Sequence, residues 1–201
     1  MTKNEPSIYI ILLHWKNFKD TKDCLLSLEK VTYRNRHIII VDNFSDDGSI
    51  ERLQEEFPYA KYILNSDNLG FSCGTNVGMR EAYSLNADYV LVLNNDMIVE
   101  PGFLEPAILE ARKEPKLGAV YGKIMRNNTQ NTFWHAGGHV DLFRASGVSR
   151  GMDQVDHGQY DKVCYTGWAS GAMCLIPRST LETIGYYPEE YFFGYEEWDD
   201  S

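Results

Sequence analysis

Three unbroken apolar runs decide what this chain can fold into: Ile8-Tyr9-Ile10-Ile11-Leu12-Leu13, Ile38-Ile39-Ile40-Val41 and Tyr89-Val90-Leu91-Val92-Leu93. Each has strand length and no polar alternation, as a strand covered on both faces requires. Between them lie helical patterns. Asp20 or Thr21 caps a helix that carries Cys24, Leu25, Leu28 and Val31 at helical spacing. A short helix runs through Phe57 and stops before Pro58. Tyr62-Ile63-Leu64 reads as another strand, and residues 74–85 as another helix. This alternation predicts a mostly parallel sheet with right-handed crossovers. Ligands of such open sheets bind beyond the carboxyl ends of the strands. The polar clusters at 42–49, 65–78 and 94–96 all follow strands, so they are expected on one edge.

After Gly122 the pattern changes. Residues 123–165 are rich in Gly, Asn, His and aromatics, with a strand-like piece at 138–143. Ala172-Met173-Cys174-Leu175-Ile176 is a buried strand, and a helix is expected over 177–184. The chain therefore divides into an α/β half, 1–122, and a smaller, less regular antiparallel half of the same domain, 123–201. A helix starts near Tyr195 and the chain stops at Ser201, which reads as a truncated C-terminus. With 201 residues there is length for one well-buried domain. A net charge of −10 argues against DNA, RNA or an anionic membrane surface as partner. The four cysteines form no C-x-x-C pair and read as reduced thiols. The first apolar run is too short for a signal-peptide core or a spanning helix, so the expected address is the cytoplasm.

Four clusters can carry chemistry. A carboxylate with neighbouring amides after a buried strand, Asn94-Asn95-Asp96, can hold a hard divalent cation; the same tripeptide also makes a plain turn. In Asp67-Asn68-Leu69-Gly70-Phe71-Ser72-Cys73-Gly74-Thr75-Asn76-Val77-Gly78, glycines spaced by four allow close backbone approach to a ligand. N–H groups at the following helix start can meet phosphate oxygens, or the glycines serve helix–sheet packing. This spacing is not G-x-G-x-x-G and argues against a nicotinamide or flavin enzyme. Asp42 closes the second strand, where it can accept a nucleobase imide N–H or make an Asx turn. Phe192-Phe193-Gly194-Tyr195-Glu196-Glu197-Trp198-Asp199 sets three carboxylates among aromatics, a candidate general-base site or an acidic first helical turn. The five histidines show no zinc spacing. Trp168 beside Ser170-Gly171-Ala172 is a candidate acceptor groove.

In their order, Ile-Val-Asp-Asn-x-Ser-x-Asp-Gly-Ser (40–49), Asn-x-Gly-Phe-x-x-Gly-x-Asn-x-Gly (68–78), Leu-Asn-Asn-Asp (93–96) and Phe-Phe-Gly-Tyr-Glu-Glu-Trp-Asp (192–199) resemble glycosyltransferase family 2. The nearest flavour is its bacterial rhamnosyltransferase-like members. The resemblance implies a GT-A fold, a Rossmann-like mostly parallel sheet, and a metal-assisted single displacement that inverts the anomeric carbon of a UDP- or dTDP-sugar. It implies that Asp42 contacts the base, and that Asn68, Gly70, Phe71, Gly74, Asn76, Asn94, Asn95 and Asp96 line the nucleotide and sugar. Asn94 and Asp96 stand for the Asp-x-Asp motif that holds Mg2+ or Mn2+. Glu197 becomes the general base, supported by Glu196 and Asp199, and Trp168, Ser170, Gly171 and Ala172 lie on the acceptor side. The acceptor is then a glycan, lipid-linked or protein hydroxyl, in polysaccharide or cell-envelope biosynthesis. The expected place is the cytoplasm or the inner face of the cell membrane, with at most peripheral attachment and no nucleic acid.

Asn94 replaces the family's first Asp, so a cation must lean on Asp96. Glu197 replaces an Asp, and relatives continue past this chain's end. The alternatives are a donor-binding but catalytically impaired fragment, or a sugar nucleotidyltransferase. The latter needs a basic Gly-rich loop after the first strand, where this chain has His14-Trp15-Lys16-Asn17-Phe18.

Overall fold

The structure is a computed structural model that describes residues 5–114, 116–127, 130–141, 143 and 146–192. The apolar runs become β1 (Ile8–His14), β2 (Arg36–Asp42) and β4 (Tyr89–Leu93), with β3 (Lys61–Leu64) at the edge. Helices α1 (Phe18–Glu29), α2 (Ser49–Glu56) and α3 (Gly70–Ser84) make the crossovers. Helix α4 (Leu104–Lys113) follows, then the short strands β5 (Val120–Tyr121), β6 (Ile124–Met125), β7 (Phe133–His135), β8 (Gly138–Asp141) and β9 (Ser146–Ser149). Strand β10 (Met173–Pro177) and α5 (Arg178–Ile184) complete the described elements.

Among the described residues the central sheet runs β3-β2-β1-β4-β10-β5. β1 is parallel to β2 and β4, and β2 to β3, while β10 lies antiparallel to β4 and β5. The expected α/β class with a mostly parallel sheet is what the chain adopts. Two small antiparallel pairs, β6–β7 and β8–β9, stand outside it. Alternate side chains of one strand serve two cores. Ile10 and Leu12 pack with Leu25, Leu28 and Leu53 of α1 and α2, whereas Ile11 packs with Met79 and Ala82 of α3. Both faces of β1 are thus dry, which is why its sequence shows no alternation.

Two helix starts differ from expectation. Helix α1 begins at Phe18, capped by Asn17 in a left-handed conformation whose side chain accepts the Asp20 N–H. Asn tolerates that backbone better than Asp20 or Thr21 could from inside the turn. Helix α3 begins at Gly70 rather than residue 74. Gly70 has φ 78, which favours glycine. Asn43 Oδ1 and Asn68 Oδ1 take the N–H groups of Leu69 and Gly70, so the helix can open there.

Candidate active site

β1 and β2 end in register, with His14 opposite Asp42, and β4 delivers Asn94-Asn95-Asp96 to the same edge. Asp42 is buried, and both its carboxylate oxygens accept the Ser45 N–H, at 3.3 and 3.1 Å. It therefore makes the Asx turn. Each oxygen retains a lone pair for a further donor.

The next residue, Asn43, was not singled out in the sequence, yet it organises the edge. Its Nδ2 donates to Asn68 Oδ1 (2.8 Å) and to the Gly70 carbonyl (3.0 Å). Its Oδ1 accepts from Leu69 N (3.1 Å) and Asn65 Nδ2 (3.2 Å). A buried amide with all this capacity filled pins the β3–α3 loop to the end of β2. The only local signal for it was an amide directly following Asp42.

Of the two readings of the glycine-rich segment, the geometry favours close packing. A Cβ on Gly70 would collide with the Phe192 carbonyl, and the Phe71 N–H donates to that same oxygen at 2.7 Å. With the N–H groups of Leu69, Gly70 and Phe71 engaged inside the protein, these donors at the start of α3 are not free for phosphate. Gly74 and Gly78 face the sheet: added Cβ atoms would lie 2.7 Å from Leu13 Cδ1 and 2.5 Å from Ile11 Cγ2. Asn76 is fully buried and spent on the C-terminal segment. Its Nδ2 donates to the Tyr187 carbonyl (2.8 Å) and Glu189 Oε1 (3.2 Å), and its Oδ1 accepts the Tyr187 N–H (3.0 Å). Arg80 pairs with Glu189, and Phe71 stacks on Tyr187. Residues 187–192 are thereby stitched along α3. Glu196, Glu197 and Asp199 lie outside the described residues.

At the tripeptide, Asn94 is held by its backbone. Its N–H donates to the Ala172 carbonyl at 3.0 Å and its carbonyl accepts from Met97 N at 3.2 Å, so the turn is real. Asn95 Nδ2 donates to Thr21 Oγ1 at 2.7 Å. Asp96 is exposed, and among the described residues its carboxylate has no hydrogen bond or ion pair. It lies close enough to Cys24 to help burial push that thiol up to about 12.

Behind the tripeptide sit the residues expected on the acceptor side. Ser170, Gly171 and Ala172 are buried, so they form a floor rather than an open groove. Their small side chains let β10 lie against β4. Ser170 N donates to His135 Nε2 at 3.3 Å and Ala172 N to Ser170 Oγ at 3.2 Å. Trp168 is half-buried, edge-on to His135 at 4.9 Å, and packed on Gly147 of β9. Burial, reinforced by Arg150, drops His135 to about 4.

His14, which no spacing in the sequence marks as functional, is completely buried. Its Nδ1 is 2.8 Å from Thr21 Oγ1 and its Nε2 is 2.8 Å from Ser49 Oγ. Burial lowers its pKa, against the opposing pull of Asp42 and Asp47, so it is neutral at pH 7.

No group of three or more His, Cys, Asp or Glu able to hold a metal occurs among the described residues. The donors present, one unpartnered carboxylate and neighbouring amides, fit a hard cation that completes its shell with phosphate oxygens and water rather than a closed protein cage.

The layered sheet, its β10 return strand and the polar edge beyond β1, β2 and β4 define a GT-A fold. Residues 9–184 match the family model Glycosyl transferase family 2, and the chain belongs to that family. Among its relatives, the N-acetylglucosaminyl-diphospho-decaprenol L-rhamnosyltransferase of Mycobacterium tuberculosis is 24% identical over 87% of this chain and 62% of its own length. The chain thus spans about three fifths of that relative. Two solved structures share the fold. S. aureus TarS 1-349 in complex with UDP has a TM-score of 0.65 at 18% identity, over 95% of this chain and 52% of that one. The mannosyltransferase PcManGT from Pyrobaculum calidifontis, in complex with GDP-Man and Mn2+, has a TM-score of 0.64 at 17% identity, over 98% and 51%.

Proposed function

We propose that this chain binds a nucleoside-diphosphate sugar at the β1–β2–β4 edge and transfers the sugar to an acceptor hydroxyl with inversion. The observation that carries this reading is the exposed Asp96 carboxylate, without a partner among the described residues, standing on a tripeptide whose other two members are tethered. The UDP and GDP-Man with Mn2+ held by the two structural neighbours support it. A divalent cation, Mg2+ or Mn2+, would supply positive charge to the departing diphosphate.

In this reading Asp96, with an amide oxygen from Asn94 or Asn95, holds that cation, and Asp42 accepts the imide N–H of uracil or thymine. Glu197, with Glu196 and Asp199 beside it, takes the proton of the acceptor hydroxyl as its oxygen bonds to the anomeric carbon. The bond to diphosphate breaks on the opposite face, without a covalent enzyme intermediate. Phe192, anchored to Phe71 of α3, brings the chain to this edge five residues before Glu197. The buried Ser170–Ala172 floor supports the acceptor side, where Trp168 offers an aromatic face. The rhamnosyltransferase relative points to a lipid-linked acceptor, hence to work at the inner membrane face. No helix among the described residues is long and apolar enough to cross a membrane.

The deciding experiment is a thermal-shift series with UDP, dTDP and GDP, each with and without Mn2+. At least one nucleotide should raise the midpoint, more so with Mn2+, and Asp96→Ala should remove the manganese-dependent part. No shift with any of them refutes donor binding.

A further inference from the structure

A polar chain with a buried middle, His14, Thr21 and Ser49, runs beneath the edge of the site. Asn95 Nδ2 lies 2.7 Å from Thr21 Oγ1, which lies 2.8 Å from His14 Nδ1. On the far side of the ring, His14 Nε2 is 2.8 Å from Ser49 Oγ, which is 2.5 Å from Asp47 Oδ1. It joins the β4 tripeptide, α1, the end of β1 and the 42–49 loop.

The two ends fix every proton in between. An amide nitrogen only donates, and an ionised carboxylate only accepts. The Ser49 hydroxyl holds Asp47 below the usual carboxylate range, so Asp47 is ionised and Ser49 donates to it. Ser49 Oγ must then accept from His14, which places the ring proton on Nε2. At the other end Asn95 donates to Thr21, whose hydroxyl donates to the bare Nδ1. The competing acceptor for Thr21, the Asn17 carbonyl, is at 3.4 Å. A neutral imidazole, accepting at one nitrogen and donating at the other, is what completes this one-way series.

We propose that His14 is a positioning residue of the site: through this relay it holds the Asn95 amide with its nitrogen inward, leaving Oδ1 as the end offered to a cation–diphosphate ligand beside Asp96. The inference rests on the donor-binding reading above. It changes the expected partner of Asp96, because among the described residues the hydrogen bonds of Asn94 are all made by its backbone, whereas the Asn95 side chain is aimed by a network whose middle is buried. Groups that orient ligands from behind are worth about 10- to 100-fold in metal affinity where they have been cut.

The test combines two readouts on the full chain. Long-range 1H–15N correlation spectra of 15N-histidine-labelled protein at pH 7 should show His14 with one proton, on Nε2; a proton on Nδ1, or on both nitrogens, overturns the relay. Titration calorimetry with Mn2+ and each of UDP, dTDP and GDP gives the second readout. Thr21→Val, which keeps the shape and loses the hydroxyl, should weaken binding about tenfold. Thr21→Ser should restore it, and Ser49→Ala should weaken it in the same direction from two links away. Unchanged affinity in folded Thr21→Val overturns the proposal; if that variant does not fold, unchanged affinity in Ser49→Ala does so. A wild-type chain that binds none of the nucleotides refutes the donor-binding reading itself, and with it the aim of Asn95.

Discussion

Asn43 shows how much of a site can hang on one side chain that does no chemistry. Its amide satisfies donors and acceptors on residues 65, 68, 69 and 70 at once. Asn43→Ala strands several of these groups in a buried place and should cost about 3 kcal/mol, read as a lower urea midpoint at unchanged slope. Asp96 is the opposite case. With no partner among the described residues, its removal should leave the unfolding free energy from urea titration within about 0.5 kcal/mol of wild type while abolishing the manganese effect on nucleotide binding. A large loss of stability in Asp96→Ala would show a structural carboxylate instead.

Helix α3 is the element on which expectation and structure part. The strands could be read directly because burial on both faces leaves its mark within one run of residues, as in Ile10-Ile11-Leu12. The edge carrying Asp42 and Asp96 followed from the strand order those runs imply. The glycines at 70, 74 and 78 had no such local signature. Their partners are Phe192, Leu13 and Ile11, and only tertiary structure reveals that the spacing serves backbone and sheet approach. The same holds for the histidine relay, whose links join residues 74 and 35 positions apart. Gly78→Ala, with its methyl forced against Ile11 and Val41, should destabilise by about 1–3 kcal/mol. Gly102→Ala has nothing within 4 Å and serves as the near-neutral control. Equal midpoints for the two variants in thermal unfolding would show that α3 does not sit this close to the sheet.

At the scale of the molecule, two buried neutral histidines tie stability to mild acid. Both His14 and His135 have lowered pKa values in the fold, His135 at about 4. The unfolded chain protonates them below 6.5 and the folded chain does not, so stability is full above that pH and falls as pH drops through the folded values. Each contributes a slope of at most about 1.4 kcal/mol per pH unit. Urea midpoints at pH 7.5, 6.5 and 5.5 should decline across this range, and His135→Gln should flatten the decline. A flat profile from 7.5 to 5.5 would mean that the folded chain takes up these protons too.

The central sheet also has an order of assembly. β1, β2, β3 and β4 can pair once the chain has been made as far as Leu93, but the amide of Asn94 has no strand to bond until Ala172 arrives and β10 closes against β4. At about 5–20 residues per second on the ribosome, that interval lasts several seconds. Throughout it a nascent chain displays the apolar flank of β4 beside an unfinished tripeptide, whose turn is pinned to the sheet only when β10 is in place.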